Sequence, residues 1–326
     1  MKIALTKPSA GAGKWAWQGW ENAFRALGHE VKDVAMSPNQ IHEFNPDLLI
    51  TSTSMPAPDY LLWRQNHPDA KVAMNVLAWT TRDVYGINNP GVQAAPNNVQ
   101  YAKDMKANIV FAQYSAAYRV WLLDKWANEG FKLGSMEMAA DSTVYDVPQP
   151  DGVYGAMRPY PMVYVGGYWA YKGETIDKWL LPVLKKYSDK LLLVGRGWPL
   201  KTTQINDERQ IGYFFKTSLV CPNMHEPHST YGGYDVVERV FKTMYCGGYC
   251  VSDYVKEMLD GFGFIPGVHL NVAKDPEQYA FFIENALDAG YEDQDYIQIK
   301  EAGKKFVREN HTYIHRATQL LKDLGC

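Results

Sequence analysis

Between Leu219 and Asp253 the chain runs from an apolar segment through a polar, glycine-containing loop into a helix, and out into a second apolar segment. Leu219 to Pro222 suits a buried strand. His225 to Tyr234 reads as a loop. From Asp235 to Tyr245, Val236, Val237, Val240, Phe241 and Met244 recur at three- and four-residue spacing, which puts them on one helix face. Asp235 and Glu238 have capping-box spacing. Gly247 and Gly248 end the helix, and Tyr249 to Asp253 reads as the next strand. A strand feeding a glycine loop and a helix start makes an anion site, because unpaired backbone N–H groups and the positive helix end face the ligand. On this reading a diphosphate lies against Tyr231, Gly232, Gly233 and Tyr234.

The same alternation runs through the whole chain and predicts parallel sheets. Lys2 to Thr6, His29 to Val34, Leu48 to Thr51, Lys71 to Leu77 and Ile109 to Ala112 read as strands. Thr80 to Asn98 is too rich in Asn, Pro and Gly for regular structure, and Gly134 to Pro150 reads as a connector. A second unit opens at Met162 with a strand into Gly166-Gly167, and Lys190 to Val194 leads into Gly195-Arg196-Gly197. The expectation is an α/β protein of two Rossmann-like domains facing a cleft. The first domain would span 1–150 and the second 151–295. A last amphipathic helix in 296–326, with room for a break near Thr312, would pack back on the first domain.

Charge narrows the partners. The 326 residues carry a formal net charge of −3. Before residue 151 there are 13 basic against 14 acidic side chains, and after it 20 against 22, so neither half is a basic, nucleic-acid-binding module. Four cysteines are sparse for this length and fit a reducing compartment. Cys246 and Cys250 flank two glycines with no second Cys/His pair beside them, so small buried hydrophobes are the default reading over zinc. The opening segment is too short in apolar residues for a signal peptide, and no run reaches membrane-spanning length, so the protein is expected in the cytoplasm.

Several segments taken in order resemble the GT-B glycosyltransferases, particularly those related to spore-maturation glycosyltransferases. They are Met162–Gly167 with Lys172-Gly173, then Leu191–Gly197, then Arg239-Val-Phe241 with Cys246-Gly247-Gly248 and Val251-Ser-Asp253. Pro266-Gly267 to Pro276-Glu277, Glu301–Gly303 through His311-Thr312 to Arg316, and Glu137 to Tyr145 continue the match. The resemblance implies a glycosyltransferase that moves a sugar from a nucleotide-diphosphate donor, a UDP-sugar first among candidates, to a hydroxyl acceptor. No tightly bound cofactor and no metal are expected. In one respect the chain departs from the pattern. The family commonly carries Glu five residues before the first of the paired glycines, gripping the ribose, and here that residue is Lys242. Lysine accepts no hydrogen bond from a diol. Glu238, one turn earlier, either takes over the ribose or belongs to the capping box.

Candidate donor-binding residues are Gly167, Lys172, Arg196, Tyr213, His225, Glu226, His228, Glu238 and Arg239, with Tyr231 to Tyr234. Lys172 follows a glycine turn and can reach phosphate, or it is an ordinary solvated lysine. Arg196 between two glycines is either a ligand clamp or a turn arginine. Tyr213 either stacks on a base or packs in the core. His225, Glu226 and His228 can orient sugar or phosphate, but lack a third partner for a metal.

On the acceptor side, Lys14, Trp15 and Trp17 follow a glycine loop. Pro8 and Trp15 stand where a phosphate-binding P-loop needs Gly and Ser/Thr, so that motif is excluded. Asp83, just after a strand, is the candidate base for the acceptor hydroxyl, with a turn cap as its ordinary role. Three other functions fit the same sequence: glycosylation of hydroxymethylated DNA bases, epimerisation of a nucleotide sugar, and non-catalytic nucleotide-sugar binding.

Overall fold

The computed structural model describes residues 1–9, 12–76, 93–146, 160–205 and 207–326. Asp83, the candidate base, lies outside the described residues. The chain divides into two compact units, one comprising Met1–Ala139 and Tyr313–Cys326, the other Ala140–Thr312.

Six parallel strands build the first unit: β1 (Lys2–Leu5), β2 (Glu30–Asp33), β3 (Leu48–Ser52), β4 (Lys71–Asn75), β5 (Ile109–Ala112) and β6 (Leu133–Ser135). They are ordered β2-β1-β3-β4-β5-β6. β3 and β5 are buried along their whole length, as strands covered on both faces must be. β6 lies within the segment expected to be a connector. Three residues carrying a central glycine give no periodic signal, and Gly134 is needed because a Cβ there would come within 2.6 Å of Ile109 Cδ1. A helix also starts at Pro96, inside the stretch expected to be irregular, with proline at its first turn.

The final amphipathic segment is two helices, Gln294–Asn310 in the second unit and Tyr313–Leu324 in the first. Tyr313, Ala317, Leu320 and Leu324 join Trp17, Trp20 and Phe24 of helix Ala12–Ala26 in one core. Gly19 makes that packing close, since a Cβ there would sit 2.2 Å from the Tyr313 ring. Trp17, expected to bind acceptor, is therefore a core residue. It is 2 % exposed and lies 4.8 Å from Trp20 between ring centroids, whereas Trp15 is half-exposed.

In the second unit, β7 (Met162–Val165) pairs in parallel with β8 (Leu191–Val194), and β9 (Cys221–Asn223), β10 (Cys250–Asp253) and β11 (Asn271–Ala273) form a second parallel sheet. A bridge between Met162 and Val220 and the bond from Val163 N–H to the Val220 carbonyl (3.1 Å) join β7 to the approach of β9. The carboxyl ends of β7, β9 and β10 thus deliver their loops to one side, where open α/β sheets bind ligands.

Candidate functional site

The glycines after β7 and β8 serve each other. Gly166 N–H donates to the Val194 carbonyl and Tyr168 N–H to the Arg196 carbonyl, both at 2.8 Å, and Trp198 Nε1 donates to the Gly166 carbonyl at 2.8 Å. Gly195 and Gly197 let two backbones come together, which the sequence could equally assign to a ligand. Arg196 itself points outward and is exposed.

The loop after β9 differs from its expected form. Pro227 starts a short helix, Pro227–Gly232, closed by Gly233 in the left-handed region at φ 76°. The next helix begins only at Glu238, with Val237 as an unassisted cap. Tyr231 to Tyr234 therefore lie at the carboxyl end of one helix and not at the amino end of another, so the expected diphosphate cradle of helix-start N–H groups is not formed there. The capping box is absent too. Asp235 adopts φ 68°, and its carboxylate accepts from His228 Nε2 at 2.8 Å while its N–H donates to Glu257 Oε2 at 2.7 Å. Tertiary partners have taken the side chain that local spacing assigned to a cap. Tyr231 is 65 % exposed and Tyr234 is in the core.

What the fold brings together is a set of charged side chains over the ends of β7, β9 and β10. Lys172, 2 % exposed, pairs with Glu226 at 3.1 Å. His225, the residue before Glu226, is fully buried. Its ring Nδ1 lies 2.6 Å from Asp253 Oδ1, and its backbone N–H donates to both Asp253 oxygens at 3.0 and 3.1 Å. Thr230 Oγ1 adds a fourth contact to that carboxylate at 3.2 Å. Burial alone would raise the Asp253 pKa, but the His225 ring and N–H and the nearby Lys172 outweigh it and hold the carboxyl below its ordinary range. Asp253 is thus a buried anion kept ionised by its neighbours.

Arg239 completes the set. Its guanidinium stacks 4.6 Å over the Tyr164 ring, against Gly166. Buried atoms without hydrogen-bond partners gather here: His225 Nε2, Glu226 Oε2, Arg239 Nη1 and Asn223 Oδ1. Such atoms cost about 1–3 kcal/mol each when left alone, and they mark places that a ligand completes. A second, half-buried pair lies alongside. Tyr171 Oη is 3.0 Å from His228 Nδ1, and the two rings stack with an 18° interplanar angle.

Of the expected donor residues, Lys172, His225, Glu226, His228 and Arg239 converge at these strand ends, with Gly167 on the β7 loop. Tyr213 packs against the side of the second unit with Phe214 and Cys246. The sequence reading missed Asp253, Tyr171 and Tyr164. Asp253 entered the sequence reading only within the Val251-Ser-Asp253 match and as the last residue of a strand, a position that in such sheets meets ligands. Lys242, in place of the family's glutamate, is turned to Glu208 Oε2 at 3.4 Å, and Tyr145 Oη donates to the same oxygen at 2.7 Å. Among the described residues no group of three or more His, Cys, Asp or Glu is arranged to hold a metal, and no helix is long and apolar enough to cross a membrane.

The chain's fold is shared by several solved structures. Over 99 % of this chain and 98 % of the other, it is similar to the sucrose-phosphate synthase (tll1590) of Thermosynechococcus elongatus, with a TM-score of 0.65 at 14 % identity. Anabaena Alr3699/HepE, in complex with UDP, aligns over 100 % of both chains with a TM-score of 0.60 at 14 % identity. An α-glucosyltransferase in complex with UDP-glucose and abasic DNA aligns over 100 % of both, with a TM-score of 0.60 at 10 % identity. No curated protein matches the chain. The fold is that of the GT-B glycosyltransferases. Residues 175–322 match the glycosyl transferase-like family, a span that includes β8 to β11, His225, Arg239 and Asp253.

Proposed function

We propose that the chain transfers a sugar from a nucleotide-diphosphate donor, with UDP as the nucleotide, to a hydroxyl acceptor without a metal. The observation that carries this reading is the convergence of Lys172, His225 and Arg239, with the unpartnered His225 Nε2 and Arg239 Nη1, at the carboxyl ends of β7 and β9 and the start of helix Glu238–Tyr245. A departing diphosphate needs fixed positive charge, and two cations supply it where a metal would otherwise serve. That HepE was solved with UDP and with UDP-glucose supports UDP as the nucleotide here. Lys14 and Trp15 are proposed to meet the acceptor and Asp83 to take its proton. UDP-glucose is expected to raise the melting temperature more than GDP-, TDP- or CMP-sugars, with transfer persisting in EDTA. Stabilisation by none of them would overturn the proposal.

The α-glucosyltransferase solved with DNA supports a second acceptor class, modified DNA bases. The balanced charge of both halves weighs against it, and a transfer assay on hydroxymethylated duplex separates the two.

Lys172 tests the donor contact directly. Lys172→Met is expected to weaken UDP-sugar binding about 10- to 100-fold, the loss of a charge-assisted contact. It should also lower stability by about 1–3 kcal/mol, because Glu226 is left partly buried without its partner. Adding Glu226→Gln should recover the stability and not the binding. Calorimetric binding and urea melts on the four proteins of this cycle read the two effects separately.

A further inference from the structure

His225 has one ring nitrogen committed and one not. Asp253 accepts from the His225 backbone N–H, from the ring, and from Thr230 and Ser252 hydroxyls, so it serves as an acceptor throughout. The ring proton therefore sits on Nδ1. Nε2 is left buried with no partner, and in a neutral ring it carries only a lone pair. A lone pair repels a phosphate oxygen. It becomes a donor only when the ring takes a second proton.

The charges around His225 bear on that step. Lys172 and Glu226 form a pair that sums to zero. Asp253 is one negative charge, and Arg239 one positive charge stacked on Tyr164. Tyr279, buried beside Asp253 and Tyr164, is pushed well above the ordinary phenol range by burial first and by those neighbours second, so it adds no charge. With a neutral imidazole the two cations are matched by the carboxylates of Glu226 and Asp253, so the set gains net positive charge only by taking up a proton.

We infer that His225, oriented by Asp253, takes up a proton as the nucleotide sugar binds and presents Nε2–H to the donor's diphosphate, holding there the charge that builds as the sugar leaves. This rests on the donor reading proposed above. A diphosphate brings two negative charges, and an imidazolium lodged between it and the Asp253 carboxylate offsets one of them. Nε2 is enclosed, so the contact forms as the loop from Glu226 to Gly233 gives way. Lys172 holds that loop through Glu226, and a diphosphate competes with the carboxylate for the same ammonium group. Asp253 is on this view a positioning residue that fixes the ring's tautomer.

Proton uptake measures the step without any acceptor. UDP-glucose is the probe, because its phosphates do not titrate near neutrality. Isothermal titration of the full chain at pH 7.5, in Pipes and in Tris, gives the protons taken up from the difference in apparent heat. The wild type is expected to take up about 0.5–1 proton per UDP-glucose, as an imidazole does when an anion is placed against it. His225→Gln keeps a hydrogen-bond donor but cannot titrate. It should bind about tenfold more weakly with uptake close to zero, and Asp253→Asn should cut the uptake while Thr230→Val leaves it intact. UDP-glucose binding with the same heat in both buffers would overturn the assignment of Nε2 and leave the donor reading standing. Failure of UDP-glucose to bind wild-type protein would instead remove the donor reading and this inference with it. If both variants misfold, the wild-type buffer dependence alone decides.

Discussion

Lys242→Glu is expected to destabilise the second unit by about 2–4 kcal/mol, even though it installs the residue that the resemblance implies there. The Lys242 side chain is 13 % exposed and faces Glu208, whose other partner is the Tyr145 hydroxyl. Burial alone would lower the Lys242 pKa, but Glu208 and Glu238 more than compensate and raise it, so the ammonium is firmly charged. A glutamate in its place would set three carboxylates together and remove the ammonium that pairs with Glu208. Glu208→Lys in the same chain should return roughly half the loss, because it restores opposite charges while giving up the bond from Tyr145. Urea melts of the single and double variants check this. UDP-sugar binding should not improve in Lys242→Glu. A gain in affinity without loss of stability would mean that position 242 faces the nucleotide after all.

The same residue shows how far sequence reasoning reached. Helix Glu238–Tyr245, its paired glycines and the strand to Asp253 were legible because apolar spacing and glycine stops are local signals. That Lys242 had replaced the expected glutamate was legible as well. Its partner was not: Glu208 lies 34 residues away on helix Glu208–Thr217, and nothing local announces the pair.

His225 and Asp253 tell the same story. Each is readable as a polar residue at the end of an apolar run, but their pairing follows from β9 lying beside β10 in register, a tertiary fact. The misplaced helix start is a different kind of failure. Asp235 and Glu238 satisfy a capping pattern, and the pattern lost to Asp235's contacts with His228 and Glu257. Pro227 gave the competing signal, since proline favours the first turn of a helix and places one before Tyr231. Trp17 was ambiguous for a related reason. A tryptophan after a glycine loop serves sugar stacking and core packing equally well, and only the arrival of helix Tyr313–Leu324 against Gly19 decides for the core.

Gly195→Ala is the most damaging single change expected outside the charged set. Gly195 has φ 139°, and a Cβ there would lie 2.1 Å from the Gly166 carbonyl oxygen and 2.6 Å from its carbon. Backbone cannot be brushed aside as a flexible side chain can. The β7 and β8 loops would have to part, breaking the bonds of Gly166 N–H to Val194 and Tyr168 N–H to Arg196. A cost of about 4 kcal/mol or more is expected, from backbone strain combined with a steric clash. Gly28→Ala is the matched control. That glycine also has positive φ, at 84°, but meets nothing within 4 Å, so conformational strain alone should cost only about 1 kcal/mol. The comparison separates the two causes in one urea-denaturation experiment. The variant bears on function as well, because Gly166 lies against Arg239 and moving it moves the guanidinium. Folded Gly195→Ala, held below its denaturation midpoint, should therefore bind UDP-sugar more weakly than wild type, while Gly28→Ala binds normally. Equal stability of the two variants would show that the β7 and β8 loops do not need the close approach that fixes Arg239 over Tyr164.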